Sequence, residues 1–160
     1  MLATVMNAMA LDDVLNKMGI HSRALSAISM PVVIGTYLRA KALDYLRKGQ
    51  VLISAGGTGN PYFTTDTAAA LRAMELECDV FLKATKVDFI YDKDPMKYPD
   101  AKKFTHLSYN EVLSKELGVM DLTAVSLCLE KKLPIVVFNL HKKGNIARVV
   151  QGEEIGTLIS

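Results

Sequence analysis

The sequence predicts an α/β protein, a three-layer α/β/α sandwich on a mainly parallel sheet. Short apolar runs without period-2 alternation, such as residues 51–53 and 133–138, read as strands buried on both faces. Segments of helical spacing alternate with them, the order that builds parallel strands through crossovers. Gly19 and Gly49 stand where two of those helical segments should stop.

Taken in order, Met1, Leu2, Val5, Met6, Met9, Leu11, Val14, Leu15 and Met18 recur at helical spacing. This apolar stripe begins at the first residue with no polar lead-in. It fits either a start methionine on a buried helix or a chain cut from something longer. A strand over 22–28, a helix over 36–48 and a buried strand over 50–55 follow. A glycine-rich loop at 56–60 leads into a helix over 66–77, then a strand over 79–85. A long polar segment containing Pro95 and Pro99 precedes helices near 109–117 and 121–132. The last clear core strand is 134–140, followed by a short helix at 144–151 and an edge strand at 157–159.

The 160 residues carry no internal repeat, low-complexity tract or linker, so one domain over 1–160 is expected. Only 22% of residues are charged and half are apolar, which excludes a disordered chain. Lys plus Arg is 19 against 17 for Asp plus Glu, too even for a general nucleic-acid or membrane-surface binder. No apolar run approaches the ~20 residues of a spanning helix, and no secretory leader pattern is visible, so a cytoplasmic location is expected. Cys78 and Cys128 lie in apolar surroundings and read as reduced core cysteines. His21, His106 and His141 share no ligand spacing, so no protein metal site is expected and no residue stands out as catalytic.

Ligands of parallel α/β sheets sit beyond the carboxyl ends of the strands, which singles out two loops. In the first, Gly56, Gly57 and Gly59 permit positive φ and close approach of an anion to main-chain amides. Thr58, Thr64 and Thr65 add hydroxyl donors, and the helix behind presents its positive end. Tyr62 and Phe63 are placed to line a base or sugar pocket. A Walker loop is excluded because Asn60 and Pro61 follow Gly59, and the dinucleotide pattern because Tyr62 occupies its third glycine position. A plain tight turn with Thr65 or Asp66 capping the helix is the bland alternative.

The second loop follows residue 85. Lys83 and Lys86 suit phosphate oxygens, Asp88, Asp92 and Asp94 suit a ribose hydroxyl or a hydrated magnesium ion, and Tyr91 offers a ring face to a purine. The bland alternative is a solvated loop whose Lys and Asp residues pair with one another.

Thr85-Lys86-Val87-Asp88, Ile90-Tyr91 and Asp94-Pro95 resemble the nucleotide-binding signature of the amino acid kinase superfamily. The run from Thr58 through Gly59, Asn60, Pro61, Tyr62, Phe63, Thr64 and Thr65 to Asp66 is similar to the uridylate loop of the bacterial UMP kinases. The blocks at residues 1–7, 83–88 and 119–121 match as well. The resemblance implies transfer of the γ-phosphoryl group of ATP, with Mg2+, to UMP, giving UDP for pyrimidine nucleotide synthesis. It implies UMP on Thr58 through Thr65 and ATP on Thr85, Tyr91 and Asp94, with the two loops at neighbouring strand ends. It further implies a homohexamer with GTP and UTP as effectors.

Two departures accompany it. Phe89 stands where the family usually has Gly; were positive φ required there, the loop would carry about 1–3 kcal/mol of strain. The family's Lys-x-Ser-Gly-Glu and Gly-Gly-Gly-Asn loops are absent, so the chain resembles roughly the later two-thirds of a UMP kinase. Weak or absent kinase activity of this polypeptide is therefore expected, and a catalytically silent nucleotide-binding or assembly module is the alternative.

Overall fold

Parallel strands of Ala, Val, Ile and Phe form where the apolar runs stand, each in one of two units, Met1–Glu77 and Cys78–Ser160. The computed structural model describes residues 1–115 and 117–160; Glu116, inside the helix expected over 109–117, lies outside the described residues.

The first unit runs α1 (Leu2–Lys17), β1 (Ser22–Ser26), β2 (Gly35–Thr36), α2 (Arg39–Arg47), β3 (Val51–Ala55) and α3 (Thr65–Glu75). Its sheet has the order β2-β1-β3, all parallel, with Ser22 opposite Val51 and Ser26 opposite Ala55. Strand β1 stops two residues short of the expected end, where Ser26 Oγ accepts the Ile28 amide (3.0 Å) and turns the chain. Thr36, expected in the helix, pairs with Ser26 in β2 instead, and α2 begins at Arg39.

Helix α1 buries only Val5 and Ala8, packed with Ala24, Ile34 and Ala55. Small residues on the sheet side let the helix approach closely but give it a narrow buried stripe. Met1, Leu2, Met6, Met9, Leu11, Val14 and Met18 are consequently exposed rather than core. The end of α1 is fastened by Ser22, a buried residue whose Oγ donates to Asp12 Oδ1 (2.5 Å) and accepts from Asn16 Nδ2 (2.9 Å).

The second unit runs β4 (Phe81–Thr85), β5 (Ile90–Tyr91), β6 (Lys103–Phe104), β7 (His106–Leu107), α4 (Tyr109–Ser114), α5 (Leu122–Lys131), β8 (Ile135–Asn139), α6 (Asn145–Val150) and β9 (Thr157–Ile159). The sheet order is β4-β8-β9-β7, with β4 parallel to β8, β7 parallel to β9, and β9 antiparallel to β8. Strands β5 and β6 pair as a separate antiparallel hairpin inside the segment expected to be polar loop. Two-residue strands are too short for periodicity to register.

Ile135, Val137, Leu107, Ile159, Val112, Val125 and Cys128 make the second core. Helix α4 starts with a reciprocal capping box between Ser108 and Glu111, and α5 with Asp121 accepting the Ala124 amide (2.9 Å). Gly156 is obligatory: at φ +90 a Cβ would lie 2.1 Å from the Val137 carbonyl oxygen. Cys128 is buried as expected, and burial pushes its thiol up to about 11. Cys78 is exposed, because the chain between α3 and β4 runs over the surface. The α/β class with mainly parallel strands is the class the sequence predicts.

Candidate functional site

The first loop leaves β3 at Ala55 and enters α3 at Thr65. Its shape is set by backbone: Gly56, Gly57 and Gly59 all have positive φ, and a Cβ on Gly56 would stand 2.9 Å from Ser26 Oγ. The Gly59 amide closes a turn on the Gly56 carbonyl (3.1 Å), and Thr58 Oγ1 accepts the Asn60 amide (3.1 Å). Thr64 caps α3 by accepting the Thr67 amide (3.2 Å), and Thr65 opens the helix's first turn. Asn60, Pro61, Tyr62, Phe63, Thr64 and Thr65 are exposed, with Tyr62 at φ 70 and its ring fully in solvent.

Behind this loop lies a cluster that the sequence offers no pattern for. Arg72 stacks on Tyr37 with its guanidinium carbon 4.0 Å from the ring centroid, and donates to Glu75 (2.5 Å). Tyr37 Oη donates to the same carboxylate (2.8 Å), and burial with that acidic neighbour pushes its phenol up to about 12. The cluster ties α3 to the segment before α2, steadying the helix whose amino end borders the loop.

The second loop is built differently. Thr85, Tyr91 and Asp94, the three residues expected to meet ATP, all line one cavity of about 600 Å3 at the carboxyl end of β4. Lys86, Phe89, Lys93 and Lys115 share its wall, and Leu117, Gly118 and Val119 close it from the turn before α5. The block at 119–121 stood out only as part of the resemblance; the fold shows that its Val119 lines this cavity.

Thr85 Oγ1 lies 3.0 Å from the Val87 carbonyl oxygen and 3.2 Å from that of Phe138, and accepts the Val87 amide at 3.2 Å. The Ile90 amide donates to Thr157 Oγ1 (2.9 Å). Phe89 is not among the positive-φ residues, so its backbone is unstrained there; its ring carries the Lys103 ammonium 4.6 Å from the centroid.

The carboxylates of this loop make local contacts. Asp92 accepts the Lys102 amide (2.8 Å), Asp94 the Met96 amide (2.9 Å), and Asp88 pairs with Lys142 at 2.8 Å. The Lys142 hydrogen bond, with help from Asn139, holds the Asp88 carboxyl below its ordinary value. Among the described residues no three His, Cys, Asp or Glu side chains stand together as a metal-holding group. Lys83 stands mid-strand opposite Val137, not at the strand end, while Lys86 lies just past the end with its side chain on the cavity.

The fold and these loops define an α/β protein whose two candidate loops follow the carboxyl ends of parallel strands, where α/β sheets commonly place their ligands. A model of the amino acid kinase family matches residues 1–139, and the chain belongs to that family, whose membership implies the use of ATP. It is similar to the UMP kinase of Ureaplasma parvum at 36% identity and TM-score 0.95, over all of this chain and 68% of that one. The UMP kinase of Bacillus anthracis matches at 35% identity and TM-score 0.96, over 99% of this chain and 66% of that one. The uridylate kinase of Archaeoglobus fulgidus matches at 32% identity and TM-score 0.71, over 99% and 69%. The chain thus spans about two-thirds of the length of these relatives. No described helix is long and apolar enough to cross a membrane.

Proposed function

We propose that this chain is the nucleotide-binding portion of a UMP kinase, transferring the γ-phosphoryl group of Mg-ATP to UMP. The observation that carries this reading is the gathering of Thr85, Tyr91 and Asp94 around a single cavity at a parallel strand end, in a chain 36% identical to a UMP kinase. The purine nucleotide takes that cavity, with Tyr91 and Phe89 as ring faces and Lys86 and Lys115 as counter-charges for phosphate. Magnesium arrives on the triphosphate and supplies charge neutralisation there.

UMP takes the loop from Thr58 to Thr65. Support comes from the positive-φ glycines, which let an anion approach the main chain without Cβ obstruction, from the exposed Thr65 beside them, and from the positive end of the eleven-residue α3. Phosphoryl transfer needs positioning and charge stabilisation rather than covalent chemistry from the protein, so two binding loops are a large part of such an enzyme. Residues 1–160 act as one partial kinase domain, cytoplasmic and assembled as a homo-oligomer, the hexamer of the family, with GTP and UTP as effectors.

The alternative is a catalytically silent nucleotide-binding module. Calorimetry and a coupled assay separate the readings. ATP and UMP should both bind while turnover stays far below that of a full-length kinase; comparable turnover overturns the silent module. Thr65→Ala should weaken UMP about tenfold and leave ATP unchanged. Equal loss of both nucleotides would remove the UMP assignment.

A further inference from the structure

The segment from Lys86 to Phe89 belongs to neither β4 nor β5, yet it forms part of the cavity wall. Its two ends are anchored independently. Thr85 sits in the ladder opposite Asn139 and its carbonyl accepts the Leu140 amide (2.9 Å); Ile90 is held by Thr157. What fixes the middle is a side chain from far along the sequence. Asn139 Nδ2 donates to the Lys86 carbonyl (3.3 Å) and to Asp88 Oδ1 (3.1 Å).

Asn139 is fixed in turn. Its Oδ1 accepts the His141 amide (2.8 Å), and its carbonyl accepts Nδ2 of Asn145 (2.9 Å), a residue only 5% exposed. The amide orientation that aims two N–H groups at the loop is therefore imposed from behind. Lys142 closes the arrangement from the solvent side, 2.8 Å from the Asp88 carboxylate oxygens.

We propose that Asn139 is a positioning residue for the purine-nucleotide cavity, holding the Lys86–Asp88 backbone so that Phe89 and Tyr91 stay on its wall, with Lys142 as an outer latch. The inference rests on the ATP reading of that cavity. Because both ends of the loop have other anchors, loss of this strap alters the cavity wall rather than the fold. Two hydrogen bonds, one of them to a carboxylate, are the quantity at stake.

The test is ATP affinity by calorimetry, with thermal denaturation and UMP affinity as controls. Asn139→Asp keeps the acceptor for His141, removes both donors and sets a carboxylate against Asp88. It should raise the Kd for ATP about tenfold with UMP affinity and Tm little changed. Adding Asp88→Asn restores an N–H···O bond with donor and acceptor exchanged, and should recover ATP affinity to within about threefold of wild type.

Unaltered ATP affinity in N139D, or no recovery in the double variant, overturns the proposal; so does parallel loss of ATP and UMP binding. Should N139D fail to fold, Lys142→Met on an exposed side chain carries the test. It should weaken ATP about two- to threefold and speed amide exchange at Val87, and no change in either overturns the proposal. A wild-type chain that binds no ATP would sink the ATP reading and the inference together, whereas normal binding in N139D counts against Asn139 alone.

Discussion

The two strand-end loops reach definite shapes by opposite means. Residues 56–65 are shaped from within: three positive-φ glycines, a turn closed on its own carbonyl and a threonine capping the helix that follows. Residues 85–95 contain no glycine and are shaped largely from outside, by Asn139, Lys142 and Thr157. The first loop stands in solvent, with Tyr62 and Phe63 exposed; the second lines a cavity. A loop governed by its own backbone announces itself in sequence. A loop governed by distant side chains does not, because its partners lie more than fifty positions away.

The most damaging way to probe this contrast is Gly56→Ala. The new Cβ meets Ser26 Oγ at 2.9 Å in a backbone conformation that L residues rarely adopt. A loss of about 2–4 kcal/mol is expected, read as a lower Tm, together with loss of UMP binding. A variant of wild-type stability would show that the loop is not shaped by its glycines.

Next is Thr85→Val, which removes a hydroxyl shared by the Val87 amide and the Phe138 carbonyl. About 1–2 kcal/mol should be lost, with ATP affinity falling more than UMP affinity. Equal effects on the two nucleotides would erase the distinction between the loops.

The smallest effect is the acid response of Asp88. Its carboxyl titrates below its ordinary value because Lys142 hydrogen-bonds the charged form. The contribution is therefore present above the ordinary carboxylate range and is lost as pH falls through the lowered folded value. With the side chain 35% exposed, solvent screening keeps the pair below about 1 kcal/mol. Amide exchange at 86–89 should rise at acid pH in wild type and be insensitive to pH beyond the intrinsic rate in Asp88→Asn.

Much of the fold was legible because it rests on local rules. The strands at 51–55, 81–85 and 135–139 lie within their expected ranges, since consecutive Val, Ile and Phe residues suit a doubly covered sheet. The candidate residues Thr85, Tyr91 and Asp94 were legible as a motif, and the structure brings them to one cavity. Strand β2 and the β5–β6 hairpin were not legible, being two residues each and stabilised only by their partners. Helix α1 was legible as a helix but not as one with most of its apolar residues in solvent, because burial depends on what packs against it.

Composition and periodicity by themselves determined the α/β class, the order of the main elements and the two loops worth attention, all of which follow from backbone stereochemistry and short-range apolar patterning. Only tertiary structure decided that Phe89 sits unstrained under Lys103, that Asp88 is a structural partner of Lys142, and that the turn at 117–119 walls the cavity. Those outcomes depend on which side chains distant in sequence come within a few ångströms of one another, and no local pattern encodes that.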